Sequence, residues 1–178
     1  MEQLAIIICG SNCLKILGTI AELISKYECH ILRAQLTPFG SVYSFSLLVT
    51  GNWNTIAKVE SALQNIAPNL EGSLMFERTK PKTYQNNYLP YTVQVVGIDD
   101  TNLACEIWLF FSTQGMEIEH LTIETIISAT NTSLFKLKIS INVPADISLA
   151  SLREQFAALC DELNVDGTIQ APNSETLL

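Results

Sequence analysis

Charge of either sign is scarce in this sequence, and no basic cluster occurs anywhere in it. Of 178 residues, 10 are Lys or Arg and 18 are Asp or Glu, only 16% of the chain together. Nucleic-acid binding draws most of its affinity from basic side chains that neutralise phosphates. A net charge of −8 without a Lys/Arg run excludes direct binding to DNA or to an anionic membrane as the expected activity. Long hydrophobic runs are missing as well: the apolar stretch near the N-terminus, LAIIIC (4–9), is far too short to span a bilayer. Glu2 stands where a signal peptide would be basic, and no small-residue cleavage site follows, so a cytoplasmic location is expected. The five cysteines (9, 13, 29, 105 and 160) are odd in number and scattered, which argues against a disulfide framework.

What is present is apolar. Hydrophobic residues make up 48% of the chain, enough for a sizeable core. The charge is unevenly spread. Through Lys80 the sequence has six basic and six acidic residues, and from Pro81 onward it has four and twelve. The excess negative charge therefore belongs to the second half, which suits a protein or small-molecule partner better than a polyanion.

Hydrophobic periodicity organises the chain. LAIIIC reads as a buried strand, and from Asn12 apolar residues recur at helical spacing through Leu14, Leu17, Ala21 and Ile24. ECHILRAQL (28–36) and VYSFSLLVT (42–50) follow as strands around a turn at Pro38-Phe39-Gly40-Ser41, the second with clean period two. Asn52 or Asn54 caps a helix with Ile56, Val59, Leu63 and Ile66 on one face, Pro68 closes it, and GSLMFERT (72–79) is a fourth strand. The segment 81–90 holds two prolines, lacks periodicity and reads as a linker.

The order then repeats. YTVQVVGI (91–98) is a strand, Leu103, Ile107, Phe110 and Phe111 mark a helix ended by Gly115, and 116–126 with 134–143 form a hairpin. Ser148 caps a helix carrying Leu149, Leu152, Phe156, Leu159 and Leu163, and 164–171 supply the last strand before a tail at 172–178. Two successive β-α-β-β-α-β units are an internal duplication. The expected fold class is α+β: two tandem ferredoxin-like domains, 1–80 and 91–171, each an antiparallel sheet with both helices on one face.

Few residues suggest chemistry. CGSNCLKIL (9–17) lacks the second glycine and the Lys-Ser/Thr of a phosphate loop, and it does not match a dinucleotide fingerprint. Cys9 and Cys13 are not at metal-ligand spacing, and no second Cys/His pair lies near them in sequence. Cys13 would gain thiolate character at a helix N-terminus beside Lys15, but burial at the helix–sheet junction is the expected fate of a free cysteine there. His30 and His120 fall in the second strand of their repeats without carboxylate or nucleophile partners. Trp53 and Trp108 read as packing residues. No catalytic residue, metal site or cofactor is expected.

Duplicated β-α-β-β-α-β units resemble ACT domains, which sense amino acids. Leu-Leu-x-x-Gly-x-Trp-Asn within SFSLLVTGNWN, followed by Ile-x-x-x-Glu-Ser-x-Leu and a strand ending Arg78-Thr79, is similar to the glycine cleavage system transcriptional repressor family. The resemblance implies a regulator without a DNA-binding element that contacts a LysR-type transcriptional activator and responds to a small amino acid such as glycine. It places the ligand at the turn between first strand and first helix, near a domain interface, where the family pattern is Asp-Arg-Pro-Gly. Backbone approach at a glycine and the helix N–H groups explain why a carboxylate would settle there. Here the turn reads Asn12-Cys13-Leu14-Lys15, with lysine in place of glycine, and in the second repeat Asp99-Asp100-Thr101-Asn102-Leu103, with leucine in that place. The candidate ligand-binding residues are Ser11, Asn12, Lys15, His30, Asp99, Asp100 and Asn102. A homodimer is expected. A second reading is a ligand-independent dimerisation or scaffold module in which both sites have decayed. A third, an acylphosphatase-type enzyme, requires an Arg in the first strand–helix loop, and this loop holds Lys15.

Overall fold

The computed structural model describes residues 1–82, 87–98, 100, 102–128 and 130–172, apart from the side chains at positions 13 and 14. The chain divides into two compact units, residues 1–83 and 84–178. In unit 1 the strands are β1 (Glu2–Gly10), β2 (His30–Phe39), β3 (Val42–Gly51) and β4 (Gly72–Thr79), with helices α1 (Cys13–Lys26) and α2 (Trp53–Ile66). Unit 2 has β5 (Tyr88–Ile98), β6 (Glu117–Ile127), β7 (Ser133–Pro144) and β8 (Val165–Gln170), with α3 (Leu103–Thr113) and α4 (Leu149–Leu163). The sheets run β2-β3-β1-β4 and β6-β7-β5-β8, every neighbouring pair antiparallel. This is the tandem ferredoxin-like α+β architecture.

Strand alternation decides which face takes the helices. In unit 1, Leu4, Ile6 and Ile8 of β1 and Phe45, Leu47 and Val49 of β3 point one way and are buried against Ile16, Ile20, Leu23 and Ile24 of α1 and Ile56, Val59 and Leu63 of α2. Unit 2 repeats the scheme: Val93, Val95, Leu137, Ile139 and Ile141 meet Leu103, Ile107 and Phe111 of α3 and Leu152, Phe156 and Cys160 of α4. Three rings fill that core, Phe111 lying 5.0 Å from Phe110 and 5.3 Å from Phe156 between centroids. Fully burying one such side chain is worth roughly 1.5–3 kcal/mol.

Local chemistry sets the helix ends. Asn52 rather than Asn54 caps α2, its Oδ1 accepting the Thr55 amide at 2.8 Å. Ser148 caps α4 through the Ser151 amide. The C-terminus of α1 closes with Cys29 N–H donating to Ile24 C=O and Glu28 N–H to Ser25 C=O, each at 3.2 Å. That closure places Glu28 at φ 54°, whereas the matching position in unit 2 is Gly115 at φ 70°.

The structure departs from the sequence reading at both prolines near strand ends. Pro38 and Phe39 belong to β2, so the hairpin turn is only Gly40-Ser41, with Gly40 at φ 60°. β2 is an edge strand, where a missing N–H is tolerated. β5 begins at Tyr88, inside the segment read as linker, and Pro90 lies beyond the stretch of β5 that pairs with β8, which starts at Thr92. Both edge strands β2 and β6 carry a bulge, between Ile31 and Arg33 and between Ile118 and His120. Trp53 and Trp108 do not serve as core: they are 65% and 38% exposed, since each falls on the solvent side of its helix stripe.

Candidate functional site

The β1–α1 turn is built on two glycines. Gly10 ends β1 directly across from Gly72, the first residue of β4. A Cβ on Gly10 would lie 2.7 Å from the Glu71 carbonyl oxygen and 2.9 Å from Ile16 Cδ1, and one on Gly72 would collide with the Cys9 carbonyl. The backbone can therefore close tightly beneath the turn only without side chains at both places. Ser11 and Asn12 are exposed above it. Asn12 caps α1, its Oδ1 accepting the Lys15 amide at 3.2 Å while its carbonyl accepts from Ile16 N–H at 3.1 Å. Lys15 reaches across to the loop before β4, its Nζ 3.6 Å from Glu71 Oε1. The two side chains are 54% and 62% exposed, so this ion pair is weak and an incoming carboxylate can displace it at little cost.

Ser11, Asn12 and Lys15 thus come together, and His30 does not join them. His30 pairs with Thr50, which pairs with Gln3, so it lies at the end of the sheet where β1 begins. Seven strand positions separate that row from Gly10, about 23 Å at the usual rise. In unit 1, His30 is an exposed edge-strand residue away from the turn.

In unit 2 the turn after β5 brings Asp100 and Asn102 together; Asp99 lies outside the described residues. Asp100 Oδ1 accepts the Asn102 amide at 3.2 Å, and the Asp100 carbonyl accepts from Leu103 N–H at 3.4 Å. Unlike Asn12, Asn102 makes no side-chain cap hydrogen bond. Beside the turn is a cleft of about 400 Å³ between the start of α3 and the end of α4, lined by Asp100, Asn102, Glu106 and Glu162 over Leu103, Leu159 and Leu163. Its carboxylates repel the acid group of an amino acid and would favour an ammonium.

The two turns differ in length as well as in charge. Two residues carry the chain from Gly10 to the first residue before α1, and five from Gly97 to the same point before α3. α1 has 14 residues and α3 has 11. At the last helical residue the repeats are back in step, and they stay so through the following strand: Lys26 and Thr113, and then the two bulges, stand 87 positions apart, as Gly10 and Gly97 do, before the offset grows again at β3 and β7.

Glu71 and Glu162 reach these places from distant parts of the chain, Glu106 from the first turn of α3, and none of the three was singled out by the sequence pattern. Cys9 and Cys105 are exposed, whereas Cys29 and Cys160 are wholly or partly buried. Burial, aided by the charges of Asp161 and Asp166, pushes the Cys160 thiol up to about 11, and burial also raises that of Cys29. The Cys13 side chain lies outside the described residues. His120 is exposed, its Nε2 3.4 Å from Thr122 Oγ1 on the same strand. Among the described residues no three His, Cys, Asp or Glu side chains gather to hold a metal ion, and no helix is long and apolar enough to cross a membrane.

A second charged feature joins α2 to β4. Arg78 donates from Nε and Nη2 to the two carboxylate oxygens of Glu60, at 2.8 and 2.7 Å, and its guanidinium carbon lies 5.6 Å from the centre of the Trp53 ring. This fork holds the Glu60 carboxyl below its ordinary range, the hydrogen bonds from Arg78 being the main cause. Two of the motif residues of α2, Trp53 and Glu60, are therefore engaged by Arg78 within unit 1.

Comparison with known proteins agrees with this geometry. Residues 2–77 match the model of the ACT domain family. The chain is 30% identical over 174 residues, 97% of its own length and 91% of the relative's, to proteins named glycine cleavage system transcriptional repressor from Escherichia coli and from Shigella flexneri. A crystal structure assigned to a glycine cleavage system transcriptional repressor is 26% identical, covers 95% of this chain and 96% of that one, and superposes with a TM-score of 0.65. An unknown protein from Galdieria sulphuraria, 15% identical, shares the fold at a TM-score of 0.81 over 97% of this chain and 99% of its own. With its duplicated fold and its match along almost the whole length of two curated relatives, the chain belongs to the glycine cleavage system transcriptional repressor family.

Proposed function

We propose that this protein is a non-enzymatic, cytoplasmic repressor of glycine cleavage that acts by contacting a LysR-type transcriptional activator, with glycine or another small amino acid modulating the contact at the β1–α1 turn. The observation that carries the regulatory reading is the identity of 30% across 97% of the chain to relatives bearing the repressor name. The acidic balance supports contact with a protein in preference to DNA. For the ligand, the first turn of α1 offers the helix N-terminus, the Asn12 cap and a Lys15 ammonium whose bond to Glu71 is weak. Those groups suit a small carboxylate. In this reading Asp100 and Asn102 form the corresponding turn of the second repeat and favour the ammonium end of a ligand. Binding would shift the population of chains able to engage the activator.

Calorimetric titration of glycine, serine and related amino acids into the wild type and Lys15→Ala tests the ligand. Heat with the wild type that is lost with Lys15→Ala is expected, and no heat from any amino acid overturns the sensor. Recovery of a LysR-type activator with the tagged protein, with and without glycine, tests the partner; failure under both conditions overturns it.

The second reading, a ligand-independent dimerisation or scaffold module, is favoured by the Glu71 carboxylate already holding Lys15 and by the acidic lining of the second cleft. An inert ligand panel together with a stable dimer would support it.

A further inference from the structure

The face of the unit 1 sheet that points away from α1 and α2 has an unusual arrangement. The strand register places Arg33, Leu48, Ala5 and Glu77 in one row across β2, β3, β1 and β4, and Gln35, Ser46, Ile7 and Met75 in the next. A positive charge thus stands at one edge of the row and a negative charge at the other, with uncharged side chains between them. Ile7 is 48% and Met75 69% exposed, and a shallow depression of about 190 Å³ opens among Ala5, Ile7, Arg33, Gln35, Ser46 and Leu48. Arg33 and Glu77 are both exposed, and neither has an ion-pair partner among the described residues.

We propose that this face receives the same face of a second copy of the chain, related by a two-fold axis parallel to the strands. Such an axis reverses the order of the row, so that Arg33 of each copy lies over Glu77 of the other, Leu48 over Ala5, and Met75 over Gln35. The pairing is isologous, every contact occurring twice. The other two-fold lying in the plane, across the strands, keeps β2 over β2 and β4 over β4, so it never brings Arg33 to Glu77 and, when it passes through this row, sets like charges against each other. The ~30° between aligned sheets keeps facing rows in register near the centre. Four strands about 4.8 Å apart, each about eight residues long at a rise of about 3.3 Å, give roughly 500 Å² per face. Two such faces bury about 1,000 Å², the lower bound of a specific interface. The equivalent face of unit 2 is unsuited to this packing, because Lys136 and Lys138 of β7 stand in its middle rows. In the same packing Lys136, with Glu124 beside it, would lose its hydration over Val96, and Glu124 would lie over Asp166, so that like charges meet. The proposal concerns a surface distinct from the β1–α1 turn and does not depend on the regulatory reading.

Sedimentation of the full chain over a range of concentrations tests it. The wild type is expected to reach twice the 19.7 kDa of one chain. Arg33→Glu and Glu77→Arg are each expected to raise the dimer dissociation constant about tenfold or more, since like charges then meet twice. The Arg33→Glu/Glu77→Arg double variant, in which opposite charges face again, restores it. Met75→Asp weakens the dimer whatever the edge charges are. Far-UV circular dichroism, and melting temperatures compared at concentrations where every form is monomeric, are expected to be unchanged because these side chains are exposed, and they separate loss of association from loss of fold. A wild type that stays monomeric at every concentration overturns the proposal, as does a dimer indifferent to both reversals or a double variant no better than the singles.

Discussion

Glu28 sits in left-handed backbone at φ 54° to complete the closure of α1, the position its counterpart Gly115 fills without strain. Left-handed geometry costs a residue with a Cβ roughly 1–2 kcal/mol, partly offset by the greater freedom glycine has when unfolded. Glu28→Gly is therefore expected to stabilise the protein by about 0.5–1 kcal/mol in urea denaturation. Glu60 gives a second prediction. Its carboxyl is held below the ordinary value of 4.5 by the Arg78 hydrogen bonds, so the folded state releases that proton more readily than the unfolded one. The stabilisation is present above the unfolded value and is lost as pH falls through the lower, folded one. Thermal melts from neutral pH down to about pH 3 should show Glu60→Gln less stable at neutral pH, with a gap to the wild type that narrows on acidification below about pH 4.5.

Elements answer to packing more than to propensity. Helix α4 contributes Phe156, 2% exposed and in ring contact with Phe110 and Phe111. Truncation to alanine leaves a cavity that the flat sheet beneath cannot fill, and Phe156→Ala should cost about 3–5 kcal/mol by chemical denaturation. At this scale the sequence was informative wherever periodicity was strong. The clean alternation of Phe135, Leu137, Ile139, Ile141 and Val143 marks β7, and the Ile56-Val59-Leu63 stripe marks the buried face of α2. The edges were harder to read. Pro38 and Pro90 look like breaks in one dimension, yet an edge strand, or a strand end without a second neighbour, tolerates the missing N–H. Trp53 suggested core because large aromatics usually are; its place one step off the apolar stripe sends it to the surface over Arg78. The turn residues Ser11, Asn12 and Lys15 were legible as a group because they are contiguous. Glu71 and Glu162 were invisible since only tertiary structure brings them there, and strand direction places His30 at the far end of the sheet, away from the turn.

For the whole molecule, the relevant quantity is charge. A sequence pI near 4.7 leaves the protein strongly anionic at neutral pH, and unit 2 contributes the imbalance. Electrophoretic mobility assays with duplex DNA should show no shift by this protein alone at micromolar concentration and low salt, where non-specific electrostatic binding is strongest. A shift that weakens with added salt would contradict the charge reading and the proposed indirect mode of repression together.

The three residues that α3 lacks are the three by which the preceding turn exceeds its counterpart. One turn of helix in the first repeat has in effect been traded for loop in the second, while the end of the helix and the bulge in the strand after it kept their place. At a rise of 1.5 Å per residue this sets the start of α3 back by about 4.5 Å. The duplicated halves have thus become non-interchangeable at their most exposed junction. Grafting Ser11–Lys15 onto unit 2 residue for residue would put every group out of phase, and a faithful transplant must carry the loop and the first helical turn as one cassette.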